Sequence, residues 1–234
     1  MGTPSPQGAG PRWGRRGRLP AWLLLGGLSL SGCTSLHLSD PVLGPGFEPA
    51  NVYRREPFLP KNLRRVAVLP LTVGRDEAQL TAGREALEPV LWAELNKIMR
   101  FELQPVTPAQ LLHWTGRPAW STQDRLPRGF FDKLKEESGC DAVLFAQLNN
   151  YRAYAPLAVG WNLKLVDGQP SPILWSVDET FDAGDPQVAN SARRYAQQAE
   201  QDPRPLSDSL SVLASPRRFA QYALSALLAT LPDR

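Results

Sequence analysis

The sequence has few of the residues from which catalytic and metal sites are built. It contains two histidines, His37 and His113, and two cysteines, Cys33 and Cys140, among 234 residues. The histidines lack metal-ligand spacing, and neither accompanies a serine in a nucleophile elbow. The glycines form no loop of the kind that cradles phosphate groups. We therefore expect no enzymatic activity, no metal and no cofactor.

The chain also lacks an apolar run long enough for a membrane-spanning helix, which takes about 20 residues. The apolar stretch 19–30 is shorter and is interrupted by Gly26 and Gly27. A basic stretch precedes it, and Leu30-Ser31-Gly32-Cys33 ends it. A positive segment, a short apolar segment and small residues before a cleavage point are typical of a secretory signal.

This segment resembles the signal peptide of bacterial lipoproteins. In that family the cysteine receives a diacylglyceryl group, the chain is cut before it, and the new amine is acylated with a fatty acid such as palmitate. The resemblance implies that residues 1–32 are removed and that Cys33 is the lipidated first residue. Because Thr34 rather than Asp follows, it also implies sorting to the periplasmic face of the outer membrane. Arg15-Arg16 leaves twin-arginine export open beside the general secretory route.

The excess of positive charge belongs to the leader. The whole chain carries 26 basic and 23 acidic residues, net +3. Residues 1–32 hold four arginines and no acid, which leaves 22 basic against 23 acidic residues in the remainder. Because a nucleic-acid partner calls for a clustered basic surface, we expect none.

The mature chain divides into a tether and one domain. Residues 33–62 are rich in proline and glycine and show no sustained period, which predicts a flexible tether. Residues 63–234 are expected to form a single α+β (α/β-like) domain, with a mixed, mostly antiparallel sheet packed by helices. Hydrophobic periodicity predicts strands at 66–71, 101–106, 141–151, 159–165 and 173–177, and helices at 76–100, from 107, at 127–138, at 186–200 and at 215–231.

Two predicted elements carry more detailed expectations. Pairing about Gly168 would place Trp161 opposite Trp175 and Leu163 opposite Ile173, all on one buried face of a hairpin. The last predicted helix is apolar nearly all round, which is typical either of burial in the domain or of docking on a partner. In the helix at 76–100, a proline predicts a kink or a restart.

Three short motifs resemble periplasmic lipoproteins with the TolB-amino-terminal-like fold, over about residues 64–182. This group includes CsgG-like curli-secretion lipoproteins and lipoprotein activators of penicillin-binding proteins. The resemblance implies that the chain binds protein partners or assembles, without shared catalytic residues. The motifs are Val66-Ala67-Val68-Leu69-Pro70, Gly139-Cys140-Asp141-Ala142-Val143-Leu144, and Leu163-Lys164-Leu165-Val166-Asp167-Gly168 leading to Ile173-Leu174-Trp175-Ser176.

We therefore expect a membrane-anchored, protein-binding adaptor or assembly factor of the cell envelope. One alternative is a subunit of a CsgG-like secretion channel, although the chain has no additional pair of strands fit to span a membrane. A cell-envelope hydrolase with an unrecognised site is a lesser alternative.

Trp114, Arg117 and Trp120 form the best sequence candidate for a partner contact, because aromatic side chains beside an arginine are good anchors. Packing of these tryptophans against the sheet is the alternative. Cys140, at the start of an apolar strand, is expected to be a small buried residue rather than a reactive thiol. The acidic cluster at 178–185 is typical of a solvated strand edge and a helix amino terminus, although carboxylate pairs also hold Ca²⁺ or act in acid–base chemistry.

Overall fold

The computed structural model describes residues 44–168, 172–199 and 209–234, so the predicted leader and Cys33 lie outside the described residues. Within them the chain forms seven strands, five α-helices and one short 3₁₀ helix (Ser209–Leu213). The strands are β1 (Val52–Arg54), β2 (Arg65–Val68), β3 (Thr72–Val73), β4 (Glu102–Pro105), β5 (Ala142–Arg152), β6 (Ala158–Asp167) and β7 (Ile173–Asp182). The helices are α1 (Ala78–Lys97), α2 (Pro108–Thr115), α3 (Phe130–Ser138), α4 (Pro186–Ala199) and α5 (Pro216–Leu228).

The strands form one mixed sheet in the order β1-β7-β6-β5-β2-β4, with β3 paired to β5. The long strands β5, β6 and β7 pair antiparallel, and β1 joins β7 in the same sense. Strand β2 pairs parallel with both β4 and β5, and β3 pairs parallel with β5. The predicted fold class, a single domain with a mixed and mostly antiparallel sheet, is confirmed.

One face of the sheet is covered by α1, α4 and α5, which bury the main hydrophobic core. The predicted ambiguity of the last helix is resolved here, because α5 packs against α1 and β6. Its apolar side chains lie inside the domain rather than on a surface. The buried residues of α5 are Phe219, Ala220, Tyr222, Ala223, Leu224, Leu227 and Leu228.

The opposite face carries a second, smaller core under α2 and α3. Val143 and Phe145 of β5 and Leu69, which follows β2, pack there with Leu111 of α2 and Leu134 of α3. The two helices begin and end at residues that suit their positions. Thr107 forms a capping box at the start of α2, and glycines in the left-handed region, Gly116 and Gly139, end α2 and α3.

The tether prediction for 33–62 is wrong over the described part of that segment. Strand β1 pairs with the edge strand β7, and the Phe47 ring meets the Phe181 ring edge-to-face at 5.1 Å. Leu59 is 6% exposed. The sequence did not predict these contacts, because the apolar residues that make them are separated by prolines and glycines and show no helical or strand period. The remainder of the predicted tether, 33–43, lies outside the described residues.

The predicted hairpin exists, but its register is wrong. Trp175 lies opposite Leu165, and Leu163 lies opposite Val177, so the pairing is centred two residues later than Gly168. Because side chains alternate between the two faces of a strand, an even-numbered shift leaves each residue on its predicted face. Trp161, Leu163 and Trp175 therefore still share the buried face. The register also changes between Leu165 and Val166, and Ile173 is 37% exposed instead of buried on that face.

Helix α1 continues across Pro89 without a restart. Proline removes one backbone donor, and both Pro89 and the residue one turn earlier, Glu85, lie on the exposed side of the helix. The unpaired carbonyl therefore faces water. Among the described residues, none of the helices combines the length and apolar character needed to cross a bilayer.

Candidate functional site

The second face of the sheet is polar beyond the small core. On β6 and β7 the residues that point away from the main core are Asn162 and Lys164, opposite Asp178 and Ser176 respectively. Asp178 is exposed, and Lys164 and Ser176 are half-buried. Antiparallel sheets commonly bury one face and solvate the other, and here the solvated part adjoins helices α2 and α3.

A chain of hydrogen bonds crosses this polar face. The Asp178 carboxylate accepts from Asn149 Nδ2 at 3.1 Å and from Asn162 Nδ2 at 2.9 Å. Asn149 Oδ1 in turn accepts from Gln147 Nε2 at 2.7 Å. Gln147 Oε1 accepts from the backbone N–H and the hydroxyl of Thr122, at 3.2 and 3.1 Å. The network therefore fastens the loop that follows α2 to the sheet.

Lys164 places a positive charge on this face. Its ammonium donates to the carbonyl of Thr122. Burial lowers the pKa of Lys164 below its usual value, while the nearby carboxylate of Asp178 acts in the opposite direction. Because an ammonium has three N–H donors, the bond to Thr122 uses one of them.

A cavity of about 210 Å³ opens beside Lys164, between the loop 121–126 and the sheet. About half of its lining is apolar and includes Phe131, Val166 and Ile173. Ser121, Thr122, Asp124 and Lys164 supply polar and charged groups to the same cavity. Because Asp124 is paired with Arg117 at 3.4 Å, the Lys164 ammonium beside the apolar wall suits a ligand group that is itself both charged and apolar.

Of the three sequence candidates for partner contact, Arg117 pairs with the cavity residue Asp124, and Trp120 directly precedes the cavity residue Ser121. Trp120 is 5% exposed, packs edge-to-face on Phe130 at 5.5 Å, and donates from Nε1 to Thr115 Oγ1 at 2.8 Å. Trp114 is half-buried against the same small core. Trp120 is therefore packed inside the domain, as the alternative interpretation predicted, and it is not an exposed anchor for a partner.

Arg117 remains exposed on this loop. Its guanidinium carbon lies 4.3 Å from the Trp120 ring centroid, and Nη2 lies 3.4 Å from the Asp124 carboxylate. A cation over an indole face and an ion pair both hold the loop in place. Partner contact through Arg117 stays a prediction.

The acidic cluster is distributed over structural hydrogen bonds. Asp182 pairs with Arg152 at 2.8 Å, and Asp185 accepts from the backbone of Gln187 at the start of α4. Glu179 Oε2 accepts from two backbone N–H groups at 50 and 51. Within the described ranges, no group of three potential ligand side chains is placed to hold a metal ion.

The remaining sequence candidates are the two cysteines and the two histidines. Cys140 is 4% exposed, and burial raises the pKa of its thiol, as expected for a core residue. His113 is exposed on α2. Cys33 and His37 lie outside the described residues.

Three residues of this face, Lys164, Thr122 and Gln147, were not predicted as site residues from the sequence. The available signal was the alternation along 159–165, where Lys164 interrupts an apolar strand on the face opposite Trp161. That pattern indicates a second face, but it does not reveal which loop covers it.

No family model matches this chain, and no curated protein matches it. Among solved structures, the PelC dodecamer from Paraburkholderia phytofirmans is 14% identical, with a TM-score of 0.39, and the match covers 82% of this chain and 96% of that one. Lipoprotein GNA1162 from Neisseria meningitidis is 18% identical, with a TM-score of 0.38 and coverage of 59% and 99%. The LpoB C-terminal domain from Salmonella enterica is 18% identical, with a TM-score of 0.32 and coverage of 50% and 81%. These similarities assign neither a family nor an activity to this chain.

Proposed function

We propose that this protein is a lipid-anchored, protein-binding adaptor of the bacterial cell envelope, held at the periplasmic face of the outer membrane through Cys33. The observation that carries the proposal is Leu30-Ser31-Gly32-Cys33 at the end of a short apolar segment with a basic flank. Each buried CH₂ of an acyl chain contributes about 0.8 kcal/mol, so two or more chains anchor a protein stably.

The anchored domain stays close to the bilayer. Gly44 is already in contact with α4, because its carbonyl accepts from Arg194. Eleven residue steps separate Cys33 from Gly44, and an extended chain of that length spans at most about 40 Å. A lipidated Cys33 would therefore restrict the adaptor to partners near the same membrane.

A binding role suits the polar face better than a catalytic one. The Asp178 carboxylate is engaged in fixed hydrogen bonds there, with both oxygens accepting from asparagine amides. Such a network stabilises a surface in one conformation, and a binding partner benefits from that preorganisation. The absence of enzymatic activity is part of the proposal.

The anchor is tested by metabolic labelling with an alkyne analogue of palmitate. We expect the wild-type chain to take up label and to sediment with membranes, and Cys33→Ala to lose both properties. Cys140→Ala is the matched control and should keep both, since Cys140 is buried in the domain. Label and sedimentation that persist in Cys33→Ala contradict the proposal.

The adaptor role is tested separately by proximity crosslinking in cells with identification of the captured proteins. A reproducible envelope partner supports the role, and a wild-type chain without any such partner contradicts it. Sizing in mild detergent addresses the channel alternative, which requires a large ring-shaped assembly.

A further inference from the structure

The cavity beside Lys164 has the size of a single residue. Small-molecule sites generally occupy about 300–1,000 Å³. This cavity, at about 210 Å³, is smaller and lies at the surface between a loop and the sheet. Its dimensions suit one anchoring residue of a larger partner, which is how hot-spot side chains bind at protein interfaces.

Part of the rim of the cavity is apolar and partly open. Leu126 and Phe131 are half-buried, and Ile173 is 37% exposed. Phe145 and Val166 form the deeper wall, at 3% and 5% exposure. A ligand residue with an apolar side chain would cover the rim and displace water from the wall, at about 25 cal/mol per Å² of apolar surface.

The polar end of the cavity calls for an anion. Within the described part of the chain, Lys164 donates one hydrogen bond, to the Thr122 carbonyl, and its other N–H donors are open to an acceptor. Asp178 is already bound on both oxygens by Asn149 and Asn162. The carboxylate of Asp124, which also lines the cavity, accepts from the Ser121 N–H at 2.8 Å and pairs with Arg117 at 3.4 Å. A carboxylate brought by a ligand would form a charge-assisted hydrogen bond in a partly desolvated position.

A carboxyl-terminal apolar residue combines these two properties. It carries a carboxylate and an apolar side chain on adjacent atoms, whereas the short stem of an Asp or Glu side chain leaves the apolar wall uncovered. A partner protein that ends in such a residue would bring both groups to the cavity together.

We propose that this cavity binds the apolar carboxyl-terminal residue of a partner protein, with the carboxylate on the Lys164 ammonium and the side chain against Phe131 and Val166. This inference rests on the proposed adaptor function and gives it a docking point. The loop 121–126 forms one wall, and the hydrogen bonds from Thr122 to Gln147 hold that wall in place before the partner arrives.

The test uses the purified mature protein in detergent and the fluorescein-labelled peptide Gly-Ala-Leu, with either a free carboxylate or an amide at its end. Fluorescence anisotropy should show binding of the free acid and binding about 10-fold or more weaker for the amide, the range of a charge-assisted hydrogen bond. Lys164→Met should remove this preference, and Lys164→Arg should retain most of it. Lys135→Met, at an exposed position on α3, is the matched control.

A second variant leaves the bond between Lys164 and Thr122 intact. Ile173→Asp places a negative charge at the partly exposed rim, and it should weaken the acid peptide more than the amide because like charges repel. Equal binding of acid and amide to the wild type, or no binding of either at millimolar peptide, overturns the inference.

The two proposals fail in distinguishable ways. If Lys164→Met captures the same partner in cells as the wild type, the cavity is not the docking point and the adaptor function stands. If the wild type captures no reproducible partner, the adaptor function fails whatever the peptides do.

Discussion

At the scale of single residues, Asp141 shows how a short motif holds distant elements together. Gly139 ends α3 in the left-handed region at φ 66°, and Cys140 then enters the small core. Asp141 Oδ2 accepts from the backbone N–H groups of Arg64 at 2.8 Å and Arg65 at 3.0 Å. The carboxylate thereby fixes the start of β2 beside the start of β5.

Asp141→Ala should lower the free energy of unfolding by about 1–3 kcal/mol, because it leaves two backbone donors without their partner. Asp141→Asn should lose less, since one side-chain oxygen remains. Urea denaturation measures both. The exposed Asp76→Ala serves as the control, with a change within about 0.5 kcal/mol, and an equally small change in Asp141→Ala would contradict this role.

The raised pKa of Tyr222 predicts that the free energy of unfolding falls at alkaline pH. The side chain is 4% exposed, and burial raises its pKa to about 12. An unfolded tyrosine has a pKa near 10. The contribution of the neutral phenol is therefore present below pH 10 and is lost between pH 10 and 12, by up to about 1.4 kcal/mol per pH unit.

The measurement compares the free energy of unfolding at pH 8 and pH 11.5 for the wild type and Tyr222→Phe. Phenylalanine does not titrate, so the variant should lose less stability over this interval. The same loss in both proteins would show that Tyr222 does not carry the alkaline transition.

At the scale of elements, α1 crosses the sheet closely at Gly83. A Cβ atom at this position would lie 2.6 Å from two ring carbons of Tyr151 and 3.0 Å from Leu148 Cδ2. Helix propensity alone would favour alanine by about 1 kcal/mol. Glycine therefore fits position 83 because α1 lies so close to β5 there, although alanine has the higher helix propensity.

Gly83→Ala should destabilise the domain by about 1–3 kcal/mol, as expected for overpacking. In a Tyr151→Ala background the same substitution should become neutral or stabilising, because the ring that it meets is gone. Thermal denaturation of the four variants tests this, and a stabilising Gly83→Ala in the wild-type background would contradict the close approach.

At the scale of the whole molecule, residues 44–63 belong to the folded domain. Strand β1 in this segment pairs with the backbone of β7 at the edge of the sheet, and Leu59 and Leu63 are part of the main core. Burial of one leucine side chain stabilises by about 1.5–3 kcal/mol. A chain shortened to begin at residue 64 should therefore lose at least about 3 kcal/mol relative to one that begins at residue 44.

Circular dichroism during heating distinguishes the two shortened chains. The chain from residue 44 should melt like the full mature protein, and the chain from residue 64 should melt at a clearly lower temperature. Equal melting temperatures would restore the interpretation of the segment as a tether.

The sequence by itself determined most of the elements and the order in which they occur. Helix α2 is an example, since Thr107 and Pro108 mark its start and Gly116 its end, all within one local stretch. The alternation of Trp161, Leu163 and Leu165 likewise predicted a strand with one buried face. These signals are local, because capping and side-chain alternation depend on neighbours within a few residues.

Only the tertiary structure decided the register, the role of residues 44–63 and the candidate site. The hairpin is centred two residues later than predicted and changes register between Leu165 and Val166, because register depends on packing across strands as well as on the turn. Trp120 packs against Phe130 and donates a hydrogen bond to Thr115, which the local sequence does not show. Lys164 contacts Thr122 across 42 positions of sequence. Contacts between residues so far apart in the chain leave no periodic pattern, and only the folded arrangement brings them together.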